Sequence, residues 1–317
     1  WSLGQRLFNH LGASRMDTTI CTGAASAAIK ATTGRPVGPD PEDLERARLI
    51  LIWGANLLSS NMHQWHFVHA AQQAGAHVIA IDPLPTDTAT RCDGHLQLLP
   101  GTDGALAMGL MAEIAAAGAA DEEWLAAHAE GWPELRERLG GWSAERAAEI
   151  CGLDALEVRA LADRIITTRP TAIRVGLGLQ RHATAGAAFR AVLALGAIAG
   201  DYRHVGGGPL AMTSGHYDAV AHSLEEPDDL PMPAARTINM SRLAEALTDP
   251  ALAPPIRSLV VWDSNPAATA PDQLRLREGL MRDDLAITVL EQRLTDTALL
   301  ADVVLPATMQ PEHLDIH

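Results

Sequence analysis

Leu49-Ile50-Leu51-Ile52-Trp53-Gly54-Ala55-Asn56 decides the fold of this chain. Five consecutive apolar residues stopped by glycine read as a parallel strand buried on both faces, because a half-exposed strand would alternate with polar residues. Residues 61–74 follow with a helical pattern ended by Gly75. His77-Val78-Ile79-Ala80-Ile81 is a second such strand, closed by Asp82-Pro83. Strand, helix, strand is a βαβ unit, so the sheet is expected to be parallel.

The same text recurs. Val260-Val261-Trp262-Asp263-Ser264-Asn265 matches Leu51-Ile52-Trp53-Gly54-Ala55-Asn56, and Thr295-Asp296-Thr297-Ala298 matches Thr86-Asp87-Thr88-Ala89. One offset of 209 residues aligns Asn56 with Asn265, Thr86 with Thr295 and Asp93 with Asp302. Hydrophobic strands resemble one another by chance; identical polar residues at a fixed offset are a weaker case for chance. The chain therefore reads as α/β, with two related doubly wound (Rossmann-like) parallel-sheet domains. Arg169-Pro170 is the expected break, giving domains 1–168, with a helical extension, and 169–317. Ligands of such sheets sit outside the carboxyl ends of the strands. Asn56, Asp82, Asn265 and Gln292 lie at or just past such ends, which suggests two similar ligand halves.

Charge and cysteine usage narrow the function. The formal net charge is −15 and there is no Lys/Arg-rich block, which argues against nucleic acid or an anionic membrane as partner. No run of 18 apolar residues exists, so no membrane span is expected. Three cysteines suit neither a disulfide framework nor a zinc or Fe–S pattern, and point to a reducing, cytoplasmic compartment. There is no initiator Met, and the pattern stops short at Asp315-Ile316-His317, as expected of a fragment.

Cys21-Thr22-Gly23-Ala24-Ala25 is the stretch with most chemistry in it. A free cysteine is most often a small buried hydrophobe. Here polar or small neighbours, and a helix expected just after it, raise the alternative of a reactive thiolate. Cys92 and Cys151 lack that setting and read as structural. Pro100-Gly101-Thr102-Asp103 is either an ordinary helix start or a phosphate contact at a helix N-terminus. Gly176-Leu177-Gly178 is not a full dinucleotide fingerprint, since Arg181 stands at its sixth position. Gln180-Arg181-His182 follows a strand end, where His182 would face substrate. His63, His66 and His69 have helical spacing, but the interleaved Trp65 and Phe67 favour a plain helix face. His216-Tyr217 is a weak further candidate.

In order and spacing these segments resemble the molybdopterin oxidoreductase family, which includes dimethyl sulfoxide reductase, nitrate reductases and formate dehydrogenase. The matching residues run from Cys21 and Gly34 through Asn56, Asp82, Thr86, Thr88 and residues 100–106. They continue through Gly176–His182, Gly206–Gly208, Asn265, Thr297 and residues 301–307 to Glu312. The resemblance implies molybdenum or tungsten held by two molybdopterin guanine dinucleotides, with Cys21 as the protein ligand. It implies that Gly54, Asn56, Asp82, Thr86, Thr88, Gly101, Thr102 and Asp103 line one dinucleotide. Gly176, Gly178, Gln180, Asn265, Gln292 and Thr297 are expected to line the other. Cys21, Thr22, Gln180 and His182 would be the catalytic set.

The implied reaction is oxygen-atom or hydride/electron transfer to a small-molecule substrate, with an electron-transfer partner or subunit. A 4Fe–4S cluster is expected in a segment outside this chain, as is a closing β-barrel-like domain. Two departures stand out. Leu84 replaces the family's usual basic residue after Asp-Pro, and Thr22 replaces the histidine typical of formate dehydrogenases, which argues against formate. The alternatives are a non-redox hydratase on the same cofactor and a cofactor-free structural subunit.

Overall fold

The computed structural model describes residues 2–35, 38–216 and 218–312. Among them, ten strands run β1 (Arg15–Asp17), β2 (Leu49–Trp53), β3 (His77–Ile81), β4 (Gly94–Leu96), β5 (Thr171–Val175), β6 (Gly208–Leu210), β7 (Thr237–Asn239), β8 (Ser258–Trp262), β9 (Ala286–Glu291) and β10 (Val303–Pro306). The helices that matter below are α1 (Ser2–His10), α2 (Gly23–Thr33), α3 (Met62–Gln73), α4 (Asp103–Ala116), α5 (Ala155–Thr167), α6 (Ala185–Ile198) and α7 (Gln273–Leu280). The chain divides into two units: Thr22–Val220, and Trp1–Cys21 together with Ala221–His317.

The continuous unit is built on a five-stranded sheet of order β4-β3-β2-β5-β6, parallel throughout. This is a doubly wound sheet whose order reverses at β2, between β3 and β5. The apolar run Leu49–Trp53 is buried on both faces. Leu49, Leu51 and Trp53 pack with Leu106, Leu110, Leu161 and Phe189, which come from α4, α5 and α6. Ile50 and Ile52 pack on the other side with Leu57, Val68 and Ala71. Side chains alternate along a strand, and all five residues are within 1% of complete burial.

The other unit contains a three-stranded parallel sheet, β10-β9-β8, and the parallel pair β1-β7. One face of the larger sheet presents Val261, Ile287 and Val289 to Leu276 and Leu280 of α7 and to Leu247. On the opposite face Trp262 stacks on Phe8 of α1, ring centroids 5.1 Å apart. Leu290, Val303 and Leu305 on that face are exposed.

The expected break at 168/169 is corrected. Thr171–Val175 pairs in register with Leu49–Trp53, so residues on both sides of 169 share one sheet. Helices α5 and α6 flank the β5 strand and pack into the same core. The break that does occur follows Cys21 and precedes Ala221, since the first residues pair with β7 rather than with the strands that follow them. The glycine- and proline-containing stretch 201–240 carries β6, β7 and a helix over Asp218–Glu225.

Candidate functional site

At the carboxyl ends of β2 and β5 two loops meet at very short range. Gly54 has φ +58, and a Cβ there would lie 2.3 Å from Leu179 Cδ1. A Cβ on Gly176 would lie 2.0 Å from the Gly54 carbonyl oxygen, and one on Gly178 3.0 Å from it. Gly176 is therefore required by the approach of two backbones and Gly178 sits at the limit of that approach, while Gly54 answers to its left-handed φ and to the Leu179 side chain. The contact falls at the point where strand order reverses.

Around it lies a connected group. Asp103, which starts α4, accepts a 2.8 Å hydrogen bond at Oδ1 from the Trp53 indole N–H. It is 6% exposed. Burial raises its carboxyl pKa, while the indole bond and the nearby His182 act in the opposite direction. His182 is exposed, and its ring lies against Gly101: a Cβ there (φ +80) would stand 3.1 Å from Cγ and Nδ1. Thr102 donates to the Leu99 carbonyl at 2.6 Å. Gln180 is buried, and its Oε1 accepts from the Ala25 N–H at 2.9 Å. Helix α2 has no side-chain cap from Thr22; its first turn is satisfied instead by a residue 155 positions away. The Thr22 carbonyl accepts from Ser26 N–H. Cys21, immediately before it, is exposed.

The repeated polar residues form the same clasp in each unit. Thr88 Oγ1 donates to Asn56 Oδ1 at 2.7 Å and accepts from Leu58 N–H at 3.1 Å. Thr297 Oγ1 donates to Asn265 Oδ1 at 2.7 Å and accepts from Ala267 N–H at 3.0 Å. Thr86 and Thr295 each accept from an amide three residues on. Asp93 and Asp302 each accept from the first strand's neighbour, at Val78 and Ile287 N–H. Thr88 and Thr297 are 1% and 0% exposed, so they shape the strand-end loop from beneath. Asn56, Asp82 and Thr86 are half-buried beside it, and the Asp82 carboxylate accepts from Leu84 N–H. Asn265 is half-buried in its own unit, where the exposed Gln292 donates to the Thr308 carbonyl.

Cys92 and Cys151 are as expected. The Cys92 thiol donates to the Thr88 carbonyl and burial pushes its pKa up to about 12; that of buried Cys151 is raised as well. His63, His66 and His69 join no metal group: among the described residues no three His, Cys, Asp or Glu side chains converge to hold an ion. His216 is exposed, and Tyr217 lies outside the described residues. Two features escaped the sequence reading. Trp53 is more than a core residue, since its indole anchors Asp103. Arg174, a charged residue inside an apolar strand, was a signal passed over. It donates to Gln64 Oε1 and to the carbonyls of Val175 and Leu210, and burial lowers its pKa.

The donor set fits a bulky anionic cofactor that brings its own metal ligands. Ligands of doubly wound parallel sheets sit outside the carboxyl ends of the strands, where both clasps lie, and an exposed thiol such as Cys21 can serve as a metal ligand. No helix among the described residues is long and apolar enough to cross a membrane.

Comparison with known proteins agrees. The family profile "Molybdopterin oxidoreductase" matches residues 1–317. "Probable oxidoreductase YoaE" of Bacillus subtilis (strain 168) is 36% identical over 99% of this chain and 46% of its own length. "Nitrate reductase" of Klebsiella oxytoca is 27% identical over 94% of this chain and 36% of its own. The solved structure of acetylene hydratase from Pelobacter acetylenicus superposes with a TM-score of 0.77 at 26% identity, covering 96% of this chain and 47% of that one. The chain thus spans half or less of the length of these relatives. It belongs to the molybdopterin oxidoreductase family.

Proposed function

Starting from that membership, we propose that this chain cradles two molybdopterin guanine dinucleotides carrying molybdenum or tungsten, and that Cys21 is the protein ligand of the metal. When bound, this group supplies two-electron redox chemistry at a centre open to a small substrate. The observation that carries the reading is the clasp repeated at an offset of 209 residues, with the same donors and acceptors in two parallel-sheet units. Two like loops at strand ends are what two like nucleotide halves call for.

The residues divide by task. In one unit Asn56, Asp82, Thr86, Gly101 and Thr102 face the first nucleotide, with Thr88 holding Asn56 in place. In the other, Asn265 and Gln292 face the second, with Thr297 behind. Gly54, Gly176 and Gly178 let the loops close on one another. Gln180 fixes the start of α2 and so the backbone that leads to Cys21. His182, braced by Gly101, is placed to hold or hand over a proton at its imidazole. Thr22 beside the ligand argues for a substrate other than formate. A 4Fe–4S cluster, where the full-length protein carries one, would supply an electron path between this centre and a partner or subunit.

A second reading is favoured by the likeness to acetylene hydratase: a non-redox hydration on the same cofactor. Counting electrons delivered to an artificial acceptor per product formed separates the two. For the cofactor itself, the full-length protein should contain near-stoichiometric molybdenum or tungsten by mass spectrometry; lack of both would favour a structural subunit instead. Cys21→Ser should keep the pterin fluorescence but change the metal's spectrum and turnover. If spectrum and turnover are both unaltered, Cys21 is not the ligand.

A further inference from the structure

At the other end of the five-stranded sheet is a cavity of about 560 Å³, beside the start of β2 and of β5. Arg46, Arg48, Arg169 and His204 line it, with Thr167 and Thr168 among them. Three guanidiniums and an imidazole around one hollow are out of keeping with a chain of net charge −15. So placed, the three arginines repel one another, and a bound anion offsets that repulsion. The plain alternative is arginines meeting carbonyls at helix ends. It suits Arg46, the last residue of the turn Pro41–Arg46, and leaves Arg48 and His204 unexplained.

The wall is tightly built. Gly206 has φ +81, and a Cβ there would lie 2.9 Å from the Arg46 backbone and from the Asp43 carbonyl oxygen. At Gly207 a Cβ would lie 2.6 Å from the Asp201 carbonyl oxygen and 3.2 Å from Pro170 Cβ. Side chains at these positions would push the His204–Gly207 turn away from Arg46 and Pro170. The glycine run therefore holds Arg46, Arg169 and His204 about the hollow. Three acids bear on these arginines: Asp43 on Arg46, and Asp121 and Asp201 on Arg169, with Asp121 itself paired to Arg203. Asp43 pairs with Arg46 at 3.6 Å. Asp201 is fully buried behind Thr171, whose N–H it accepts. Arg169 donates to a neutral acceptor, the Ala119 carbonyl.

We propose that this cavity binds a small polyphosphate anion of the pyrophosphate type. Planar guanidinium forks match oxyanion groups two oxygens at a time. The volume falls in the range of small-ligand sites, roughly 300–1,000 Å³, which is more than one phosphate needs. The site is separate from the strand-end loops assigned above and does not depend on that assignment.

Inorganic pyrophosphate is titrated into the full-length, cofactor-loaded protein by calorimetry at physiological salt. Binding with a Kd of about 0.1 mM is expected, weakened at least about tenfold by Arg48→Gln and by Arg169→Gln. Arg138→Gln, an equal charge change on a surface helix away from the cavity, should leave it unchanged. Thermal unfolding of each variant confirms that it is folded. No binding overturns the proposal. So does binding indifferent to Arg48 and Arg169, which would put the anion at the nucleotide loops. Citrate binding as tightly, with the same arginine dependence, overturns the phosphate assignment in favour of an unselective oxyanion pocket.

Discussion

The loop after β2 and the loop after β8 carry one design in two settings. Asn56 and Asn265 begin it, Thr88 and Thr297 clasp it, and the clasp distance is 2.7 Å in both. Both loops turn through the left-handed region at the same place, Gly54 with φ +58 and Asp263 with φ +53. What surrounds them differs. Leu179 presses on Gly54, whereas Asp263 is exposed. Trp53 is fully buried and bonded to Asp103; Trp262 is half-buried and stacked on Phe8. The comparison separates two reasons for a glycine. The conformation alone tolerates Asp, whose short polar side chain visits αL; close packing by a second loop does not.

The largest test breaks that separation. Gly54→Ala adds a left-handed alanine and a clash, about 2–5 kcal/mol of destabilisation in all. Asp263→Ala leaves the neighbours undisturbed and should cost about 1 kcal/mol or less. Denaturant unfolding of the full chain reads both, and equal losses would show that the loop's surroundings do not matter.

Next comes a group that only the five-stranded sheet has. Asp201 lies behind β5 with Oδ2 lacking a hydrogen-bond partner, and burial raises its pKa from 3.8 to about 7. The folded state thus holds this proton more tightly than the unfolded state. Its stabilising contribution is complete below about pH 4 and is lost as pH rises through about 7. A shift of this size corresponds to at most about 4 kcal/mol. Asp201→Asn should flatten the fall in stability between pH 4 and 8. A wild-type-like slope in the variant would mean the carboxyl is solvated.

The smallest effect tests the likeness itself. Thr88→Val and Thr297→Val keep shape but remove a buried hydroxyl that both donates and accepts. Each should cost about 1–3 kcal/mol, and the two losses should agree. A large loss at one threonine and none at the other would dissolve the parallel between the clasps.

Much of this was readable from the chain. Leu49–Trp53 and Ser258–Trp262 announced themselves because apolar runs bounded by glycine or aspartate have few other uses. The offset of 209 residues pointed to two units of like local geometry; that Asn and Thr bond to one another within each is what the structure adds. The rest depended on partners far away in sequence. Trp53 and Asp103 are 50 residues apart and Ala25 and Gln180 155 apart, and no local pattern records such pairs. β6, β7 and β1 are three residues each, too short for a period of two to show. The break at Arg169-Pro170 was misplaced because proline marks a turn equally well inside a unit and between units. The cavity ringed by arginines was invisible for the same reason as Asp103's partner: its residues come from four separate segments.

The pairing of Arg15–Asp17 with Thr237–Asn239 bears on how the protein is made. A ribosome releases residue 15 long before residue 237. Until β7 emerges, the first strand has no edge to join, and closing so long a loop carries an entropic cost that only the finished sheet offsets. Domains generally fold as units during synthesis, and Thr22–Val220 is complete before Thr237–Asn239 emerges. Arg15–Asp17 is therefore placed after strands that follow it in the chain, and the backbone leading to Cys21 is fixed from that side only once this pairing forms.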